Sequence, residues 1–204
     1  MAKVLRIDAS SRLQESHSRQ MADVFQEKWL KANPKDEFTV RDLVKEPIPH
    51  IENMTIAGFY TPEDKLDDPM KKATALSDRL IKELISADVI LLSTPMYNFS
   101  VPSALKAYID QIVRIGQTFG FEESKGFFGL VEGKKAYIVT ACGAVYKGPY
   151  EAYNFLAPYL TAVLGLIGIS DIDYIDLEGT SLDPAAFEAS KKVAMEKIDK
   201  ITSS

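Results

Sequence analysis

The stretch Asp88-Val89-Ile90-Leu91-Leu92-Ser93-Thr94-Pro95-Met96-Tyr97-Asn98-Phe99 decides the fold. Its first half is a short apolar run closed by a proline, as a strand buried on both faces requires. Its second half sets a thioether, a phenol, an amide and a phenyl ring at the strand's carboxyl end. Ligands of open α/β sheets bind outside that end. Such a turn suits a partner that is flat and apolar, with hydrogen-bonding atoms on its edges.

Outward from this strand, helical and strand patterns alternate. Residues 3–9 read as a first strand, and a polar loop over 10–18 leads to a helix carrying Met21, Phe25 and Trp29 on one face. Phe38-Thr39-Val40-Arg41-Asp42-Leu43 reads as a second, more polar strand. Pro47 and Pro49 break the chain before residues 52–68, which show no regular pattern. A helix with Leu76, Leu80 and Leu84 feeds the decisive strand, and one with Leu105, Tyr108, Ile109 and Ile112 follows it. Residues 116–133 hold five glycines and four phenylalanines and do not read as regular structure. Residues 135–140 form a fourth strand, 153–166 a helix ending at Gly168, and 169–177 a last strand with Asp171, Asp173 and Asp176. Pro184 suits the start of a final helix.

Alternating strands and helices imply one parallel sheet with helices on both faces. The third and fourth strands are the most apolar and belong at the centre, while the second and fifth are polar enough for edges. That fits an α/β fold of five parallel strands in the order 2-1-3-4-5, with a ligand where strands one and three diverge. Residues 1–204 are expected to form one domain. Loops 10–18, 94–99 and 140–146 then meet at one edge.

Composition excludes more than it selects. Apolar residues make up 46% of the chain, and no run approaches the ~20 apolar residues of a membrane span. The opening Met1-Ala2-Lys3-Val4-Leu5-Arg6-Ile7 reads as a strand and not a signal peptide, so a cytosolic location is expected. One cysteine precludes an intrachain disulfide, and two histidines offer no metal-ligand cluster. A net charge of −5 without a basic block argues against nucleic acid.

No glycine precedes Gly58, so neither a Rossmann dinucleotide loop nor a Gly-Lys-Ser/Thr phosphate loop is present. Instead Ser10 and Ser11 are followed by Glu15-Ser16-His17-Ser18-Arg19 at a helix start. Hydroxyls and unpaired N–H groups there suit a phosphate. The alternatives are that Ser16 or Ser18 only caps the helix, that Arg19 is solvated, and that His17 is an ordinary surface residue. At the second loop, a purely apolar cap has no use for Asn98, whereas a flavin offers amide-like edges and an apolar face. The residues therefore point to a flavin.

Pro95-Met96-Tyr97-Asn98-Phe99, Ser10, Ser16-His17-Ser18, Gly116-x-Thr118-Phe119 and Gly133-Lys134-Lys135-Ala136 resemble the FMN-dependent NADH-azoreductases. The likeness runs nearly end to end, through Thr39-Val40-Arg41-Asp42-Leu43 to Leu166-Ile167-Gly168-Ile169. It implies a homodimeric, flavodoxin-like three-layer α/β/α sandwich. In that family, bound FMN passes hydride from NADH or NADPH to azo compounds and quinones. The resemblance assigns Ser10, Ser16, His17 and Ser18 to the FMN phosphate, and Met96, Tyr97, Asn98 and Phe99 to the isoalloxazine. It also sets Ala141, Cys142, Gly143 and Ala144 beside the flavin. The family's version of that last loop commonly reads Ser-Arg-Gly-Gly, so here only Gly143 is kept and the serine hydroxyl is gone. Backbone groups remain to serve in its place. Cys142 reads as a small packed residue, with a redox role as the alternative.

No side chain is assigned as acid or base, because a flavin carries the chemistry. The expected cycle is ping-pong: the nicotinamide reduces FMN and leaves, and the oxidant then stacks on the same face. Phe99, Phe119, Phe121 and Tyr146 are expected to line the substrate pocket, with the glycine-spaced segment as its lid. Phe127 and Phe128 equally suit packing under a surface loop, and Phe155 and Tyr159 suit packing or a dimer interface. A flavodoxin-type electron carrier shares the fold and is the competing reading. A phosphorelay receiver would want an acidic cluster after the first strand, where Asp8 stands alone.

Overall fold

The computed structural model describes residues 1–203. In chain order the elements are β1 (Lys3–Asp8), α1 (His17–Ala32), β2 (Glu37–Asp42), α2 (Asn53–Tyr60), α3 (Asp68–Ser86), β3 (Val89–Pro95) and α4 (Ser103–Ile112). They continue with β4 (Phe119–Glu122), β5 (Gly126–Gly129), β6 (Lys135–Ala141), α5 (Leu156–Leu166), β7 (Asp171–Leu177) and α6 (Pro184–Thr202).

Five strands form one parallel sheet in the order β2-β1-β3-β6-β7, and β4 and β5 pair separately as an antiparallel hairpin. With the hairpin set aside, this is the expected order 2-1-3-4-5. β3 is buried at every position, which is why its sequence is a continuous apolar run. Alternate strand residues feed two cores. Leu5, Ile7, Ile90, Leu92 and Ile138 pack with Leu80 and Leu84 of α3, Leu105 and Ile109 of α4, and Leu160 of α5. Val4, Leu91, Val139 and Ile175 pack with Met21 and Phe25 of α1 and Ile198 of α6. The layers are therefore α3, α4 and α5 on one face, and α1 and α6 on the other.

Helix starts follow local chemistry. Asp183 caps α6 by accepting from the Ala186 N–H at 2.9 Å, with Pro184 in the first turn as anticipated. The segment 52–68, expected to be irregular, instead holds α2 and a short 3₁₀ turn at Glu63–Lys65. A reciprocal box between Glu52 and Thr55 starts α2. Segment 116–133, also expected to lack regular structure, contains the β4–β5 hairpin. A Cβ on its Gly129 would lie 2.2 Å from Gly168, so two glycines let the hairpin dock where α5 ends. The helix expected over 153–166 begins only at Leu156, after a 3₁₀ turn at Gly148–Tyr153.

Candidate functional site

The strand registers bring Asp8 level with Asp42 and Ser93, and Pro95 level with Ala141 and Leu177. Three loops therefore leave the carboxyl edge of the sheet side by side. Backbone bonds tie them: Ala9 N–H to Ser93 O at 2.9 Å, Met96 N–H to Ala141 O at 2.9 Å, and Cys142 N–H to Leu177 O at 2.8 Å.

The first loop ends in the start of α1. Ser10, Ser16 and Ser18 are all buried. Ser16 is the N-cap, yet its Oγ accepts from the Arg19 N–H only at 3.5 Å while lying 3.3 Å from the Ser18 Oγ. The first turn holds no carboxylate. His17 packs against Phe187 of α6, with ring centroids 4.6 Å apart and the rings tilted by 56°. Burial pushes its imidazole below the ordinary histidine range, and the positive charges of Arg12 and Lys191 add to that. Arg12 is paired with Glu15, just before the N-cap, at 3.3 Å. Hydroxyls, a helix N-terminus whose first turn holds no carboxylate, and the nearby Lys191 make a donor set that fits a phosphate.

Arg19 is neither solvated nor available to a ligand in this arrangement. It is buried and forms a fork with Asp42 at 2.7 and 2.9 Å. Burial works against the Asp42 charge, but Arg19 and the N–H groups of Val44 and Lys45 outweigh it and hold the carboxyl down at about 2.

The second loop is a tight turn. Tyr97 and Ser100 exchange backbone bonds at 2.9 and 3.1 Å, and Asn98 and Phe99 between them have φ of 48° and 70°. Positive φ at both central positions is what a type I′ turn demands, and it is costly for a phenylalanine. Among the described residues only Glu15 of the first loop joins these two as a non-glycine with positive φ. The Phe99 carbonyl accepts from the Phe155 N–H at 3.0 Å, and its ring lies 6.1 Å from Tyr146 and 5.3 Å from Tyr153.

In the third loop the carbonyls of Cys142, Gly143 and Ala144 accept from N–H groups of residues 179–182. Among the described residues the Gly143 and Ala144 N–H groups donate to no protein acceptor. A Cβ at Gly143 would meet only Ser181, at an ordinary 3.5 Å, so protein packing leaves room there. The Cys142 thiol is buried, and burial, then Asp176 and Glu178, push it up to about 12. That is the environment of a packed cysteine.

Ser10, Ser16, His17, Ser18, Met96, Tyr97, Asn98, Phe99, Ala141, Cys142, Gly143 and Ala144 thus share one edge. Of the four residues expected to line a substrate pocket, Phe99 and Tyr146 meet there. Phe119 and Phe121 do not. Their hairpin is tied to the opposite edge, where the Val131 N–H donates to Ile167 O at 2.8 Å and the Thr118 hydroxyl to Ile112 O at 2.7 Å. An open cleft of about 870 Å³ between α2, α3 and residues 114–117 also lies away from the three loops.

The Flavodoxin_2 family, described as a flavodoxin-like fold, matches residues 2–201. An FMN-dependent NADH:quinone oxidoreductase from Hydrogenovibrio crunogenus is 45% identical, over 97% of this chain and 98% of that protein. The chain belongs to this family. A second such oxidoreductase, from Xanthobacter autotrophicus, is 47% identical over 85% of this chain and 84% of its own length. The structure is similar to an azoreductase from Bacillus anthracis str. Sterne, with a TM-score of 0.91, 27% identity and 99% of each chain covered. It shares its fold with an FMN-dependent NADH-azoreductase from Bacillus anthracis str. Ames Ancestor, solved with FMN. There the TM-score is 0.85 at 22% identity, over 98% of this chain and 99% of that one.

Two features of the edge escaped the sequence reading. Lys191 and Phe187 reach His17 from the far end of the chain, and no local spacing signals such a contact. The Arg19–Asp42 fork spans 23 residues. Its only sequence trace is a charged residue at the end of an otherwise strand-like run.

Proposed function

We propose that the chain holds FMN at this edge and transfers hydride from NADH to quinones and to azo compounds, cleaving the latter to amines. The reading rests on one juxtaposition: a helix whose first turn holds no carboxylate, with three buried hydroxyls, beside a strained Tyr97–Ser100 turn. Strain of this kind concentrates at ligand sites. FMN, when bound, supplies a ring able to accept and donate hydride. The chain supplies the rest. Ser10, Ser16 and Ser18, with the α1 N-terminus and His17, hold the phosphate. Met96, Tyr97, Asn98 and Phe99 line the isoalloxazine, and the N–H groups of Gly143 and Ala144 take over from the absent serine hydroxyl. Phe99 and Tyr146 offer planar substrates an aromatic wall.

In this reading residues 1–204 act as one FMN-binding domain of a cytosolic enzyme. No helix among the described residues is long and apolar enough to cross a membrane. The enzyme works as a homodimer. Phe121 and Phe127 stand exposed on the hairpin at 55% and 65%, a surface that a second copy would cover. From that copy Phe119 and Phe121 can still reach a pocket they cannot share within their own chain.

The purified protein is expected to be yellow and to release FMN, not FAD, on denaturation. Steady-state lines for NADH at several quinone concentrations should run parallel; intersecting lines would rule out the ping-pong scheme.

A further inference from the structure

Arg19 is the third residue of α1 and Asp42 the last of β2, yet the two meet beneath the first loop. The Arg19 Nη1 donates to Asp42 Oδ2 at 2.7 Å and its Nη2 to Asp42 Oδ1 at 2.9 Å. The other edge of the guanidinium faces the loop itself: Nε and Nη2 donate to the Ser10 carbonyl at 3.2 and 2.8 Å. Asp42 is fixed in turn, its Oδ1 accepting from the N–H groups of Val44 at 3.0 Å and Lys45 at 3.2 Å. Behind them Asp8 lies 3.6 Å from Arg19, accepts from Arg6 Nε at 3.1 Å and takes the Ser93 hydroxyl at 2.6 Å. The guanidinium is committed on both edges, and both partners are buried.

We propose that Arg19 and Asp42 are a positioning pair for the phosphate site: they hold the Ser10 backbone and the start of α1 in the shape that accepts the FMN phosphate, without touching it. The inference rests on the reading that Ser10, Ser16 and Ser18 hold that phosphate. The residue type is dictated by geometry. A planar fork can bind a carboxylate bidentately and still direct donors at a carbonyl beside it, whereas a lysine ammonium is a single point of attachment. Arg19→Lys keeps the charge, and with it any direct attraction to a phosphate, but cannot keep both contacts. Asp42→Asn keeps the shape and removes the charge that orients the fork.

Riboflavin, which has the same ring and no phosphate, separates this role from general support of the fold. Affinities of FMN and riboflavin are measured by flavin fluorescence on the full chain, for the native protein, Arg19→Lys and Asp42→Asn. The native protein is expected to prefer FMN strongly. Each variant should lose about tenfold or more in FMN affinity, the scale of one charge-assisted contact. Riboflavin affinity should be unchanged within about twofold, and at saturating FMN the KM for NADH should stay at the native value. The double variant should lose little more than either single one, since the pair acts as a unit. Equal losses for FMN and riboflavin would overturn the proposal in favour of a general structural role. An unchanged FMN preference in both variants would overturn it outright. A native protein that does not prefer FMN to riboflavin would instead overturn the phosphate-site reading on which it stands.

Discussion

Asp42 carries a titration signature of its own. Its carboxyl is held at about 2 in the folded chain, against an ordinary value of 3.8. A depressed carboxylate contributes stability above its unfolded pKa, and that contribution is lost as pH falls through the folded value. The window therefore runs from about pH 4 to about pH 2, and the stake is about 2 kcal/mol. Asp42→Asn should flatten this part of the acid-unfolding curve, measured by circular dichroism, while lowering stability at neutral pH. An unchanged acid slope would mean that the pair is not formed in solution. Cys142 gives the complementary case. With its thiol pushed up to about 12, the folded protein should resist alkylation at pH 8 and react only when unfolded. Cys142→Ala should retain quinone reductase activity within about twofold, and a collapse of activity would restore the redox alternative.

The elements that the sequence declares most plainly are those whose burial is all or nothing. β3 is buried on both faces, so its apolar run admits one reading, and the polar β2 and β7 mark themselves as edges. Of the α1 stripe, Met21 and Phe25 lie inside and Trp29 is partly buried. Phe25 is wholly buried, stacks on Trp29 and packs against a tilted Tyr137, so Phe25→Ala should cost about 3–5 kcal/mol in denaturant unfolding. A loss under about 1 kcal/mol would place this core elsewhere. What stayed illegible was set by contacts between distant segments. α2 is short, apolar nearly all round, and settles through Gly58 against Thr74 of α3, so it shows no amphipathic period. The hairpin's strands are four residues each, interrupted by glycines that serve docking and turning, which hides the alternation of a strand. That Asn98 and Phe99 sit in a turn after β3 was legible from Pro95 and the end of the apolar run. Its positive φ angles were not, because a phenylalanine gives no warning of one.

At the scale of the whole molecule, the sheet edge and the hairpin pull in opposite directions. Serines, strained turn and Gly143 collect at the carboxyl edge, while Phe119 and Phe121 stand with β4 at the other. The homodimer proposed above would reconcile them. Light scattering should give twice the mass of one chain, and replacing both Phe121 and Phe127 with Ser should shift the protein toward monomer and lower turnover with quinone. A native monomer at full activity would leave the hairpin without this role. The central claim, that the chain itself oxidises NADH through FMN, is tested most directly by adding NADH anaerobically to the purified yellow protein. One equivalent of NADH per FMN should bleach the flavin absorbance without any added reductase, and a quinone should restore it. Flavin that stays yellow with NADH alone, yet bleaches when a separate reductase is supplied, would contradict the account and make the chain an electron carrier.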